Sequence, residues 1–207
     1  MKRQQIKYIV ILIMTACGYA TKTFAQDFVS VAKFESFGTL TSEIIAAIDP
    51  EDDTFWVKIP TNDGGYELII HEDGLSYFIS KLEYAIAKAE EWSVVALSNG
   101  VDDYEKVIIS DVRANGISVL KGSTATPQGL YTQYDSGKIN FRIFKKLVTI
   151  SLTFMFRNEN GNFAFYYFNY DINGFKNLIQ ALNKDKIRSV LKGKSPSSNQ
   201  DIDSLFK

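Results

Sequence analysis

The sequence predicts an α+β fold made by internal duplication. About four or five antiparallel strands are followed by a helix, twice over, with the helices packed on one face of the sheets. Three observations carry this. YELIIHEDGLSYFISKL at Tyr66 to Leu82 is echoed without a gap by YYFNYDINGFKNLIQAL at Tyr166 to Leu182. A long apolar stripe of helical spacing follows the first copy. Strict alternation over Leu147 to Phe156 marks a sheet covered on one side.

The two echoing stretches share a tyrosine (Tyr66, Tyr166), an apolar residue two on (Leu68, Phe168) and an Asx-Gly pair (Asp73-Gly74, Asn173-Gly174). Each reads as strand, capped turn, amphipathic helix, with Asp73 and Asn173 as the expected N-caps because their oxygens can accept an early backbone N–H.

Taken in order, Asp27 to Phe37 alternates as a strand. Residues 39–48 fit either a helix or a strand, and Asp49 to Asp53 is an acidic turn. Thr54 to Pro60 and Tyr66 to Glu72 form a hairpin about Asn62-Asp63-Gly64-Gly65. That loop sets Val57 opposite Ile70 and Ile59 opposite Leu68. Phe55, Val57, Ile59, Tyr66, Leu68 and Ile70 then make the core face, and Trp56, Lys58, Glu67, Ile69 and His71 the other. A helix of about 24 residues, roughly 36 Å long, runs from Gly74 to a left-handed stop at Asn99-Gly100. Lys106 to Val112 and Ile117 to Leu120 read as strands about an Asn115-Gly116 turn, and 122–133 is irregular. Lys138 to Phe144, Leu147 to Phe156 and Phe163 to Tyr170 are strands, the last two joined so that Arg157 meets Phe163 and Phe154 meets Tyr166. Two shorter helical segments close the fold.

This order resembles the four-strands-then-helix repeat, used twice, of the Whirly and purine-rich-element-binding folds, over Phe28 to Leu191. The resemblance rests on element order and the internal echo, and no lysine-rich single-strand-binding motif stands in the chain. It implies binding of single-stranded nucleic acid.

Composition bounds the function. The chain has 207 residues, 45% hydrophobic and 14% aromatic, enough to bury a core. Lys2, Arg3 and Lys7, the apolar run Ile9 to Cys17, and Thr23-Phe24-Ala25 form a secretory leader with cleavage expected after Ala25. The alternative is lipidation at Cys17. Removing residues 1–25 takes four of the 23 basic residues and none of the 24 acidic ones, leaving a net-acidic chain without cysteine. Disulfides and thiolate metal sites are then excluded. The expected organisation is a leader (1–25), one globular domain (26–194) with pseudo-repeats at about 28–100 and 104–192, and a polar tail (195–207).

Candidate functional residues follow from the faces turned away from the helices. Trp56 and His71 share one in the first half. Phe163, Phe165 and Tyr167 share one with Met155, Thr153 and Ser151 in the second. His71 is the sole histidine; it lacks neighbours at metal-ligand spacing, and no GxSxG nucleophile elbow is present. Glu51-Asp52-Asp53 and Asp102-Asp103 lack calcium-loop spacing. Lys138, Arg142, Lys145 and Lys146 form the densest basic patch. The expectation is an exported, non-enzymatic binding or assembly module using the aromatic-bearing sheet face. No catalytic residue, metal or cofactor is assigned. The partner is an extracytoplasmic ligand or protein, with self-association as an option and nucleic acid disfavoured by charge. The alternatives are a hydrolase-type enzyme centred on His71 and a single-stranded nucleic-acid binder.

Overall fold

The computed structural model describes residues 28–38, 40–49, 52–60, 66–112, 116–121, 131–132, 136–157 and 163–194. The leader, Cys17, the glycine-rich turn at 62–65, residues 122–130 and the tail from 195 lie outside them. In chain order the elements are β1 (Val29–Phe37), β2 (Leu40–Ile48), β3 (Phe55–Pro60), β4 (Tyr66–His71) and α1 (Glu72–Ser98). Then come β5 (Asp103–Ile109), β6 (Ile117–Lys121), β7 (Tyr131–Thr132), β8 (Ser136–Phe144), β9 (Leu147–Arg157), β10 (Phe163–Asp171), α2 (Ile172–Ala181) and α3 (Lys184–Lys194).

Two antiparallel sheets result. The first runs β1-β2-β3-β4-β6-β7 and the second β10-β9-β8-β5. Four strands and a helix therefore recur, as the echo predicts. The ambiguous 39–48 stretch is the strand β2, whose Ile44 and Ala46 face the core between β1 and β3. Both hairpin registers agree with the sequence: Val57 pairs with Ile70, Ile59 with Leu68, and Phe154 with Tyr166. Phe55, Val57, Ile59, Leu68, Ile70, Ile150, Leu152, Phe154, Phe168 and Tyr170 are buried. The expected core side chains of Tyr66, Tyr166 and Phe156 lie outside the described ones.

The Asn115-Gly116 link is not a hairpin. β5 pairs with β8 in the second sheet, whereas β6 pairs with β4 in the first. An Asn-Gly pair signals only a local reversal. The free edge of β4 offers a longer-range partner, and Ile117 is buried there opposite Ile70. Gly116 itself is in a left-handed conformation, φ +81°, and its carbonyl accepts from His71 N at 2.6 Å. A Cβ on it would lie 3.1 Å from the His71 Cβ and 3.3 Å from Gly74 N.

The helix starts also differ from expectation. α1 opens at Glu72 with His71 as N-cap, its Nδ1 accepting from Asp73 N at 3.4 Å. α2 opens at Ile172 with Asp171 as N-cap, its Oδ1 accepting from Gly174 N at 2.6 Å. Asp73 and Asn173 thus lie inside the first turn. The second of the echoed glycines is needed for close approach. A Cβ on Gly174 would sit 1.9 Å from the Ser36 carbonyl oxygen of β1, and Gly74 meets Gly116.

Each helix packs mainly on the sheet of the other copy. α1, 27 residues long, lies over β9, β8 and β5, with Trp92 edge-on to Phe141 at 5.8 Å and the Lys106 ammonium 4.2 Å from the Trp92 ring. Its stripe Leu75, Phe78, Leu82, Ala85, Ile86 and Ala89 is buried, and Gly100 at φ +70° follows its end. α2 lies against β1, where Asn177 Nδ2 donates to the Glu35 carbonyl at 3.1 Å and Phe34 meets Tyr170 edge-on at 5.8 Å. Burial pushes the Tyr170 phenol up to about 12.

α3 is tied to the start of α1 by charge. The Glu72 side chain is 2% exposed, bonded to Lys184 Nζ at 2.6 Å and bidentate to Arg188 at 2.9 and 2.7 Å. Burial alone would raise its carboxyl, but Lys184 and Arg188 outweigh this and hold it below the usual range.

Two outcomes follow. Gly174→Ala should cost about 3 kcal/mol or more in urea unfolding, because backbone must move to admit the methyl. Glu72 contributes stability that is fully present above the ordinary glutamate pKa and fades as pH falls through its lowered folded value. Glu72→Gln should therefore flatten the acid limb of a stability-versus-pH curve and lower stability at neutral pH by about 2 kcal/mol, as for charge-assisted hydrogen bonds lost to two partly exposed cations; a curve of unchanged shape would refute this.

Candidate functional site

Strand alternation sends the candidate residues to two separate sheets. On the first, Trp56 pairs with His71, and their rings lie 4.5 Å apart at 59°. This face is largely closed by its own side chains. Ile69 is 1% exposed, Lys58 pairs with Glu67 at 3.2 Å, and Phe28 lies 4.0 Å from the Lys58 ammonium.

The β2–β3 turn brings polar groups to His71 that the sequence did not single out with it. Thr54 Oγ1 lies 2.7 Å from His71 Nε2 and donates to Asp52 Oδ1 at 2.5 Å, while Thr54 N donates to the same oxygen at 3.0 Å. Trp56 Nε1 donates to Asp49 Oδ2 at 2.9 Å. These bonds hold the Asp52 carboxyl below its usual range, the Thr54 hydroxyl bond first and its backbone N–H second.

The proton positions follow from this geometry. A hydroxyl has one proton, and Thr54 gives it to Asp52, so it must accept from His71 Nε2–H. His71 Nδ1 lies 3.4 Å from the Asp73 backbone N, whose N–H can only donate, and 3.4 Å from Asp73 Oδ2, which can only accept, so the Thr54 contact decides the proton. The neutral ring therefore carries its proton on Nε2. A general base toward Thr54 would need that nitrogen bare. One oxygen each of Asp49 and Asp52 and a ring nitrogen of His71 lie within 4.8 Å of one another, a spacing that could hold a metal ion. A metal on Nε2 would have to displace both its proton and Thr54. What the cluster does as it stands is fix the β2–β3 turn to the start of α1.

The second candidate face is different. Phe165 and Tyr167 on β10 are 53% and 51% exposed. Across β9 they pair with Met155 and Thr153, and Thr153 pairs in turn with Lys138 of β8. The next row reads Asn169, Ser151, Asn140, and the following one Asp171, Thr149, Arg142, Glu105. Phe144 and Leu147, also exposed, close the far end at the tight Lys145-Lys146 turn, both residues at positive φ. The face thus carries hydroxyl, amide and charged groups between apolar side chains at its ends. Phe163 opens β10 at Arg157, and its side chain lies outside the described ones. Asp49 and Asp52 were legible only as turn residues and Thr54 only as the start of a strand; the register of Lys138 opposite Thr153 follows from the two-residue turn.

No family model, curated protein or solved structure matches this chain.

The ring nitrogens give a direct check. Long-range 1H–15N spectra at neutral pH should show Nδ1 of His71 as the unprotonated nitrogen. Thr54→Val should disturb that signature and cost about 1 kcal/mol of stability, as for one lost hydrogen bond. An unprotonated Nε2 would reverse the assignment and revive a base at this position.

Proposed function

We propose that the chain is an exported, non-enzymatic binding or assembly module that takes its partner on the open face of the second sheet. The observation that carries this is the half exposure of Phe165 and Tyr167 beside Met155, Thr153 and Ser151. Isolated apolar side chains on a surface are ordinary, but two aromatic rings on one outward strand face beside hydroxyl groups form a platform. Covering each would yield about 1–2 kcal/mol, since roughly half of each ring remains to be buried. On the outward face of β3 and β4 in the first sheet the described side chains already engage one another. Export is supported by the leader pattern, with a mature chain beginning at Gln26.

Phe165→Ala with Tyr167→Ala should leave the melting temperature nearly unchanged and abolish ligand binding or self-association. Amide shifts induced by a bound ligand should cluster on outward residues of β8, β9 and β10. Wild-type affinity in the double variant, or shifts confined to the first sheet, would sink the proposal. Mass spectrometry of protein from the expressing cells should find Gln26 at the amino terminus; a lipid on Cys17 would instead assign a membrane-anchored form.

A further inference from the structure

We infer that the ligand class of this face is an acidic oligosaccharide, a sugar chain bearing carboxylate or sulfate groups; this rests on the reading of the second sheet as the binding face. Three features of one row carry it. Tyr167 offers a half-exposed aromatic face on which a pyranose ring can stack. Thr153 beside it supplies a hydroxyl that can donate to or accept from sugar hydroxyls. Lys138, on the other side of Thr153, is exposed, and no carboxylate pairs with it among the described residues. Neighbouring strands are about 4.8 Å apart, so the Tyr167 and Lys138 backbones are separated by roughly 10 Å. A sugar ring seated on Tyr167 can therefore direct an acidic group across Thr153 toward the ammonium.

The rest of the face fits an extended, hydroxylated ligand. Ser151, Asn169 and Asn140 continue the polar surface in the next row, with Val107 beyond Asn140 and the Asn140 amide donating to Glu105 Oε1 at 3.2 Å. Charge is mixed along it. Lys138 lies near the aromatic end, whereas Glu105, Asp103 and Asp171 stand with Arg142 and the Lys145-Lys146 turn toward the other. Lys138 is thus the cation within reach of a ring seated on Tyr167. Glu105, Asp103 and Asp171 interrupt the cations Lys138, Arg142, Lys145 and Lys146, which disfavours a nucleic acid, whose regularly spaced phosphates call for an unbroken stripe of cations.

The test is titration calorimetry of the mature chain with uronate-, sialate- and sulfate-bearing oligosaccharides. Each is matched to its uncharged counterpart, with oligothymidylate alongside. One acidic sugar should bind at least about tenfold more tightly than its uncharged counterpart, the worth of one charge-assisted hydrogen bond. Lys138→Gln should remove that difference and Lys138→Arg should keep it, while Tyr167→Ala should weaken both members of the pair. Equal binding of the pair, or no effect of Lys138→Gln, overturns the acidic assignment while a Tyr167→Ala effect preserves the binding face. Binding unaffected by Phe165→Ala with Tyr167→Ala overturns both. Preference for oligothymidylate, or no binding of any acidic sugar, overturns the inference.

Discussion

The contact on which the architecture depends is that between Gly174 and the Ser36 carbonyl. It is where the second copy's helix meets the first copy's edge strand. A side chain there would separate α2 from β1 and take Asn177, Tyr170 and Phe175 with it. The first copy has a parallel arrangement, with Gly74 facing Gly116 at the entry to β6. In both, backbone passes directly over the first turn of a helix. At Gly174 the approach is open only to a residue without a Cβ, and in the first copy it is Gly116 whose Cβ would crowd Gly74 N at 3.3 Å. The echo of Asx-Gly in the sequence is therefore a packing constraint, and the capping is done three residues earlier by His71 and Asp171.

Exchange of helices between the two sheets explains why one hydrophobic core serves both copies. It also concentrates polar chemistry at the start of α1. Glu72 is anchored by Lys184 and Arg188 on one side of that terminus, and His71 by Thr54 and Asp52 on the other. Both sets join segments distant in sequence. A buried carboxylate with two cations adds specificity of docking more than net stability, since its desolvation is costly. The His71 network is best understood in the same terms. Its proton order suits a cap and a turn clamp, whereas base chemistry would need the reverse.

Much of the candidate binding face was legible because strand alternation has period two. Once Arg157 is set against Phe163, the outward positions of Phe165, Tyr167, Thr153 and Met155 follow without further information. What alternation leaves open is which outward face remains uncovered. Trp56 and Phe165 are both outward by alternation, yet the first face closes over Ile69 while Phe165 stays half exposed. That difference comes from side chains brought in from elsewhere, such as Phe28 over Lys58, and from the Lys58–Glu67 pair, which no local pattern encodes.

The sequence by itself determined the duplicated strands-then-helix order, the registers of the two main hairpins and the buried stripe of α1. Each is set within a short window by periodicity, turn chemistry or helix spacing. Tertiary structure decided that β6 leaves β5 for the open edge of β4. It also decided that the helices cross to the opposite sheets, and that Asp49, Asp52 and Thr54 gather around His71. These are choices among distant partners. They depend on which edge is unpaired, which backbone can pass a glycine and which polar group would otherwise be buried alone, and those conditions arise only once both sheets are in place.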